Sequence, residues 1–134
     1  MKKQTATLHM IVLLGCLFAF HLLVLAGVVP YDIVWGGNLQ TIEEMRVFET
    51  TALLISMSML MVFVVKYRQL KRQEDRKGLN YLIWGFAATF FLGTIGNMMA
   101  ESMWELIPGT AISLYATYCC VIIAKTKRTK AVSA

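Results

Sequence analysis

The chain has 134 residues, of which 57% are hydrophobic, with a mean hydropathy of +0.61 and a net charge of +5. This length predicts one domain over 1–134 rather than several. The apolar excess is gathered into long runs, which excludes an ordinary soluble domain, since such domains average nearer half apolar.

Four apolar runs follow one another along the chain, at 10–29, 47–65, 81–99 and 106–124. A helix rises about 1.5 Å per residue and the hydrocarbon core of a bilayer is about 30 Å thick, so roughly 20 apolar residues span it. The sequence therefore predicts an all-α polytopic membrane protein, a bundle of four transmembrane helices.

The first run also has features of a signal peptide, because Lys2 and Lys3 precede an apolar stretch. The apolar core of a signal peptide is about 7 to 15 residues long and ends at a small-residue cleavage site. The run 10–29 is longer, and no Ala-x-Ala site follows it. We expect an uncleaved helix that ends at Pro30, since proline does not continue the helical hydrogen-bond ladder.

Positive charge lies almost entirely on one side of the predicted spans. Of the 13 Lys and Arg residues, only Arg46 falls between the first and second or the third and fourth runs. Short loops rich in Lys and Arg stay in the cytoplasm. We therefore predict a multi-pass protein of the cell (inner) membrane with both termini cytoplasmic. The excess of basic residues then reflects the orientation of the protein in the membrane, and no nucleic-acid partner is expected.

The segment between the first two runs has features of a membrane-surface turn. Tyr31 and Trp35, like Trp104 in the second outer segment, are predicted interfacial anchors, because amphipathic rings collect at the headgroup level. Thr41 followed by Glu44 forms a capping-box pattern that predicts the start of the second helix.

Small residues recur at helical spacing and predict close helix packing in a compact bundle. They lie in the first, third and fourth runs: Gly15, Ala19 and Ala26; Gly85, Thr89, Gly93 and Gly96; Gly109, Ser113, Ala116 and Cys120. We also interpret Cys16, Cys119 and Cys120 as packing residues rather than a disulfide, because they fall toward the reducing cytoplasmic side.

Polar side chains in the predicted spans or at their outer boundaries are the candidate functional residues, because burying such groups in a membrane is costly. They are Arg46, Glu49, Asn97, Glu101 and His21. Arg46 and Glu49 are three residues apart, and Asn97 and Glu101 point to the same outer rim. The functional interpretation is an outward-facing polar vestibule with His21 beneath it as a titratable or ligand-binding group.

The same residues have a structural interpretation. Arg46 would pair with Glu43 or Glu49, and Asn97 would hydrogen-bond a neighbouring helix. No Ser-His-Asp set, phosphate loop or metal spacing is present, and no cofactor is expected. Acid–base catalysis by Glu49 and His21 stays open as an alternative. His9 and His21 are about 18 Å apart along one helix and do not share a metal.

Two motifs, YDIVWGG at 31–37 and TIGN at 94–97, occur in a four-span chain of this length. In these features the chain resembles a family of small uncharacterised bacterial integral membrane proteins. The resemblance implies the four-span architecture and a bacterial inner-membrane location, and it implies no activity.

The favoured function is non-enzymatic: binding of a ligand or lipid, or association with a membrane-protein partner, through the outer polar rim. One alternative is a small proton-coupled transporter in which Glu49 and His21 titrate. Another is a membrane enzyme that acts on a lipophilic substrate. Beyond the lipid bilayer, a lipophilic ligand, a protein partner and a second copy of the chain are the partners left open.

Overall fold

The computed structural model describes residues 1–100, 103 and 105–125. Regular structure within these residues is helical throughout: α1 (Lys3–Leu25), α2 (Ile42–Lys71), α3 (Lys77–Met98) and α4 (Thr110–Ala124). Four stretches are long and apolar enough to cross a membrane: α1, α2, α3 and Leu106–Ala124. The predicted all-α class with four candidate spans is confirmed.

Helix α1 ends at Leu25, four residues before the predicted end at 29. Gly27 adopts a left-handed φ of 75°, and the Val28 N–H bonds to the Leu23 carbonyl at 2.9 Å. A left-handed glycine just after the last turn is a frequent helix terminator, because glycine pays no Cβ penalty there. Gly27, rather than Pro30, therefore ends the helix.

Helix α2 is longer than the predicted run 47–65 at both ends. The Thr41 hydroxyl accepts a hydrogen bond from the Glu44 N–H at 3.1 Å, as the capping pattern predicts, and Glu44 Oε2 accepts one from the Gln40 N–H at 2.9 Å. At its other end α2 continues to Lys71. The extension includes Lys66, which lies one residue beyond the predicted run and is buried in the helix.

The fourth span begins with a π-helical turn, Glu105–Gly109, before α4. Pro108 lies inside this turn. Proline has no backbone N–H and crowds the preceding turn, so a regular α-helical ladder is interrupted there. The predicted fourth span, 106–124, is therefore confirmed as a candidate span, with a π-helical first turn.

The helices form two antiparallel hairpins. α1 packs along α2, α3 packs along α4, and α1 also packs against α4. α2 and α3 meet through the rings of Phe63 and Phe86, whose centroids are 5.9 Å apart. We call the end holding segments 26–41, 99–100 and 105–109 the loop end, and the end holding the N-terminus and segment 72–76 the terminal end.

Only one of the predicted small-residue stripes packs inside the bundle. In α4, Ser113, Ala116 and Cys120 are buried. The α3 stripe is exposed, and a Cβ built at Gly85, Gly93 or Gly96 meets nothing within 4 Å. A Cβ at Gly15 of α1 also meets nothing. The inner face of α3 is instead Asn80, Ile83, Ala87 and Thr94.

Candidate functional site

A buried hydrogen-bonded cluster joins α1, α2 and the first loop near the loop end. Glu49 is fully buried, and both of its carboxylate oxygens have a partner. Oε2 lies 2.6 Å from His21 Nδ1, and Oε1 accepts a hydrogen bond from the Trp35 indole N–H at 2.7 Å. The His21 side chain is only 12% exposed, so a titratable pair lies almost out of contact with solvent.

Trp35 is held in an unusual backbone conformation. Its φ is 56°, and Gly36 and Gly37 follow with φ of 70° and 74°. A left-handed conformation is costly for a large aromatic residue and persists only where surrounding contacts impose it. The indole N–H bond to Glu49 and an edge-to-face contact with Phe48, at 5.2 Å between ring centroids, supply those contacts.

An open cleft of about 460 Å³ adjoins Trp35. The first loop and the end of α3 form its walls: Trp35, Gly36, Asn38, Gly96, Asn97, Met99 and Ala100. None of these described lining residues carries a charge. Trp35 therefore belongs both to the lining of the cleft and, through its indole N–H, to the buried cluster around Glu49.

Asn97 reaches α4 as well as the cleft. Its side-chain N–H donates to the Ser113 hydroxyl at 3.3 Å, and the Thr94 hydroxyl lies 3.0 Å from the same oxygen. A Cβ at Gly109 would lie 3.1 Å from Asn97 Cγ, which is tighter than ordinary contact, so the Asn97 side chain would have to shift to make room for it. Asn97 therefore bonds the neighbouring helix, as the structural interpretation predicted, and also lines the cleft.

Arg46 and Glu49 do not pair. Glu49 points inward to His21, whereas Arg46 is exposed and forms no ion pair with any residue in the described ranges. The packing of α1 against α2 fixes the rotation of α2 about its own axis. This rotation brings the Glu49 carboxylate to the His21 imidazole. Glu101 and Trp104 lie outside the described residues. Tyr31 is partly buried and packs against the small apolar cluster around Val34.

A second polar cluster at the terminal end was missed from the sequence. Lys66 is fully buried, with its ammonium 2.5 Å from Asp75 Oδ1 and also bonded to Asn80. Lys3 of α1 lies 2.6 Å from the other Asp75 oxygen. The cluster thus ties α1, α2 and α3 together beside the loop 72–76.

The Asp75 carboxylate is held ionised by this cluster. Burial alone would raise its pKa, but hydrogen bonds from Lys3, Lys66 and Asn80 and the nearby Lys66 charge outweigh burial and lower the pKa to about 2. The sequence pattern that indicates such a cluster is Lys66 at the end of the second apolar run, followed by Asp75 in the next loop.

Within residues 1–100, 103 and 105–125, no three His, Cys, Asp or Glu side chains gather closely enough to hold a metal ion. Comparison of the chain with protein-family models, curated proteins and solved structures finds no significant match. The family resemblance of 31–37 and 94–97 therefore stays a prediction, and function must be argued from the site.

Proposed function

We propose that the protein is a non-enzymatic membrane protein that binds a small neutral polar molecule, or the neutral polar head of a lipid, in the cleft beside Trp35. The observation that carries this proposal is Trp35, which lines the cleft while its backbone is held at φ 56° and its indole N–H is bonded to Glu49. Strain of this kind concentrates at binding sites, where it prearranges a contact surface.

The chemistry of the lining supports an uncharged ligand. Asn38 and Asn97 offer amide groups, glycine backbone at positions 36 and 96 permits close approach, and Trp35 offers a flat face. A charged ligand would lack a counter-ion among these described residues. A neutral group that bears hydroxyl or amide functions, and can stack on an indole, fits the lining.

Insertion in a membrane with both termini cytoplasmic would turn the cleft to the outside of the cell. The outward display of large apolar side chains supports insertion, since Leu54, Tyr81 and Leu92 are 67%, 76% and 66% exposed. A surface of that kind is unsuited to water but matches lipid tails. The distribution of Lys and Arg supports the orientation.

Reporter fusions test this orientation. Fusions after Asn38 and Met103 should behave as extracytoplasmic, and fusions after Arg72 and Ala134 as cytoplasmic, because the basic segments adjoin the latter pair. Alkaline phosphatase and a fluorescent protein that folds only in the cytoplasm give opposite signals at each point. A cytoplasmic signal at Asn38 would contradict the outward orientation of the cleft.

Native mass spectrometry of the purified chain tests the binding proposal. A species that copurifies with wild type should be lost or weakened at least about tenfold in Gly109→Ala, since the new methyl group displaces Asn97 and removes about one hydrogen bond. The mass of the species distinguishes a lipid from a free solute.

Gly93→Ala is the matched control, because a Cβ at Gly93 meets nothing within 4 Å. It should retain the copurifying species at the wild-type level. Equal retention by the two variants, or wild-type protein with nothing bound, would contradict the proposed binding function.

The second candidate function is proton-coupled transport, and the His21–Glu49 pair favours it. A buried carboxylate 2.6 Å from an imidazole can exchange a proton without leaving an isolated charge. In proteoliposomes, proton uptake driven by a pH gradient and abolished by Glu49→Gln would support transport. Ligand binding without such proton uptake would favour the binding function over transport.

A further inference from the structure

Trp35 connects the buried cluster around Glu49 to the cleft. Its indole N–H lies 2.7 Å from Glu49 Oε1, and Trp35 lines the cleft together with Gly36. Any change in the Trp35–Glu49 hydrogen bond therefore also acts on the lining of the cleft. A proton can cause such a change, because the other oxygen of Glu49 is bonded to His21, and both groups are titratable.

Protons reach the buried cluster through His21. Glu49 is fully buried, whereas the His21 side chain keeps 12% of its surface exposed. With Glu49 ionised, His21 Nδ1 carries the hydrogen that lies between the two groups, so Nε2 is the ring atom that takes up an incoming proton. Uptake neutralises a pair that otherwise holds a net negative charge, and neutralisation is favourable where water is excluded.

This proton weakens the bond between Glu49 and Trp35. Once Nε2 is protonated, the hydrogen between the two groups can move along the 2.6 Å contact from His21 Nδ1 to Glu49 Oε2, which gives a neutral imidazole beside a neutral carboxyl group. Out of water, two neutral groups avoid the cost of burying an ion pair. The indole N–H is then bonded to an uncharged oxygen, and such hydrogen bonds are about half as strong as those to a carboxylate.

Charged groups near the pair do not replace His21 as its partner. The other charged side chains of the adjoining part of α2 and of the first loop are exposed: Glu43, Glu44, Arg46 and Asp32. Tyr31, the remaining ionisable group of that loop, packs against the apolar cluster around Val34. α1 has no Asp, Glu, Lys or Arg after Lys3, and its other histidine, His9, is twelve positions from His21.

The facing helices carry no charge near the pair either. At 78–100 and 110–124, in α3 and α4, only tyrosines and cysteines are ionisable. Glu101 and the side chain of Glu105 lie outside what the structure describes. Within the described residues, His21 is therefore the one ionisable partner of Glu49.

Backbone strain at Trp35 gives the weaker bond a structural consequence. A φ of 56° is costly for a large aromatic residue and persists only while contacts impose it. Two contacts do so, the indole bond to Glu49 and the edge-to-face contact with Phe48. When the bond to Glu49 loses its charge, relaxation of the backbone works against one full contact instead of two.

We propose that the His21–Glu49 pair is a proton-operated switch of the cleft. The ionised Glu49 holds Trp35 in the lining at φ 56°, and uptake of one proton at His21 releases Trp35 and Gly36 into a second arrangement. The switch carries no proton across the membrane, which distinguishes it from transport. It also needs no ligand, so wild-type protein that copurifies with nothing would contradict the binding function and leave the switch standing.

Proton–nitrogen NMR of tryptophan- and glycine-labelled protein in nanodiscs tests the switch. The pH is lowered from about 9 to about 4, the range in which imidazole and carboxyl groups gain protons. The Trp35 indole and Gly36 amide resonances should move together, with one midpoint. Trp84 and Gly85 of α3 lie outside both the cluster and the cleft lining, so their resonances should stay unchanged. Trp35→Phe assigns the Trp35 resonance by removing it.

Three variants establish the cause. Glu49→Gln keeps an oxygen acceptor for the indole but cannot ionise, so the Trp35 and Gly36 resonances should stay at their low-pH positions at every pH. Glu43→Gln is the matched control, because it removes an exposed acid from the first turn of the same helix, and it should titrate like wild type. His21→Gln keeps a partner for Glu49 but removes the group that takes up the proton, so the midpoint should fall to lower pH.

The outcomes that would overturn the switch are distinct. They are a wild-type Trp35 resonance that ignores pH, a Trp35 resonance that moves without Gly36, equal titration of Glu49→Gln and wild type, and an unshifted midpoint in His21→Gln. The wild-type titration and His21→Gln keep the test decisive should Glu49→Gln fail to fold.

Discussion

Replacing Glu49 by leucine is expected to lower the free energy of unfolding by about 3 kcal/mol. The carboxylate is fully buried and bonded to both His21 and the Trp35 indole. Leucine would leave the imidazole and the indole N–H without an acceptor in apolar surroundings, and unpaired buried donors are costly. Denaturant unfolding in detergent micelles, followed by circular dichroism, measures the change.

Three further variants establish the cause. Glu43→Leu removes an exposed carboxylate from the first turn of the same helix and should cost less than about 1 kcal/mol. His21→Leu/Glu49→Leu should regain part of the loss, because it removes the unpaired imidazole but leaves the Trp35 indole N–H without its acceptor. Adding Arg46→Leu to Glu49→Leu should change nothing, since those two side chains do not meet. A Glu49→Leu protein as stable as the Glu43→Leu protein would show that the buried cluster contributes no stability.

Replacing Asp75 by asparagine is expected to destabilise the protein by a similar amount, about 3 kcal/mol. The change removes the carboxylate that neutralises the fully buried Lys66 ammonium, and it also releases Lys3 of α1. Glu74→Gln is the matched control, because Glu74 is exposed and approaches only Arg76, at 3.4 Å. It should leave the free energy of unfolding nearly unchanged. Equal stabilities of the two variants would contradict a stabilising role for Asp75.

The same carboxylate predicts how stability depends on pH. The folded-state pKa of Asp75, about 2, is below the ordinary value of 3.8. Its contribution is therefore complete above about pH 4 and is lost as the pH falls toward about 2. Wild-type protein should lose stability over that interval more steeply than Asp75→Asn protein, in denaturant unfolding at matched ionic strength. Parallel curves would mean that Asp75 is not linked to folding.

The spans could be predicted because each depends on local composition. Apolar runs of sufficient length identify all four, and Thr41 marks the start of α2 correctly. The sequence also offers Gly27 as a helix terminator, but we assigned the end of α1 to Pro30, which placed it four residues too late. Errors of a few residues at helix ends arise because several residues near an end can stop a helix.

The partners of Glu49 could not be predicted because they depend on helix rotation. Arg46 lies three residues away and is an adequate partner by sequence spacing. His21 is 28 positions away, and only the packing of α1 against α2 brings it to the carboxylate. The Lys66 cluster was missed for the same reason, since Asp75 and Lys3 meet it only when α2 extends to Lys71 and three helices converge.

The arrangement as two hairpins bears on how the chain is assembled during synthesis. α1 and α2 leave the ribosome first, and together they already contain His21, Trp35 and Glu49. The fully buried Glu49 therefore acquires its full set of partners before α3 is made. Lys66 depends on Asp75 and Asn80, which follow it, and the contact of α1 with α4 forms only after α4 is made. A nascent chain arrested after α2 would thus contain the complete Glu49 cluster but lack the Asp75 and Asn80 partners of Lys66.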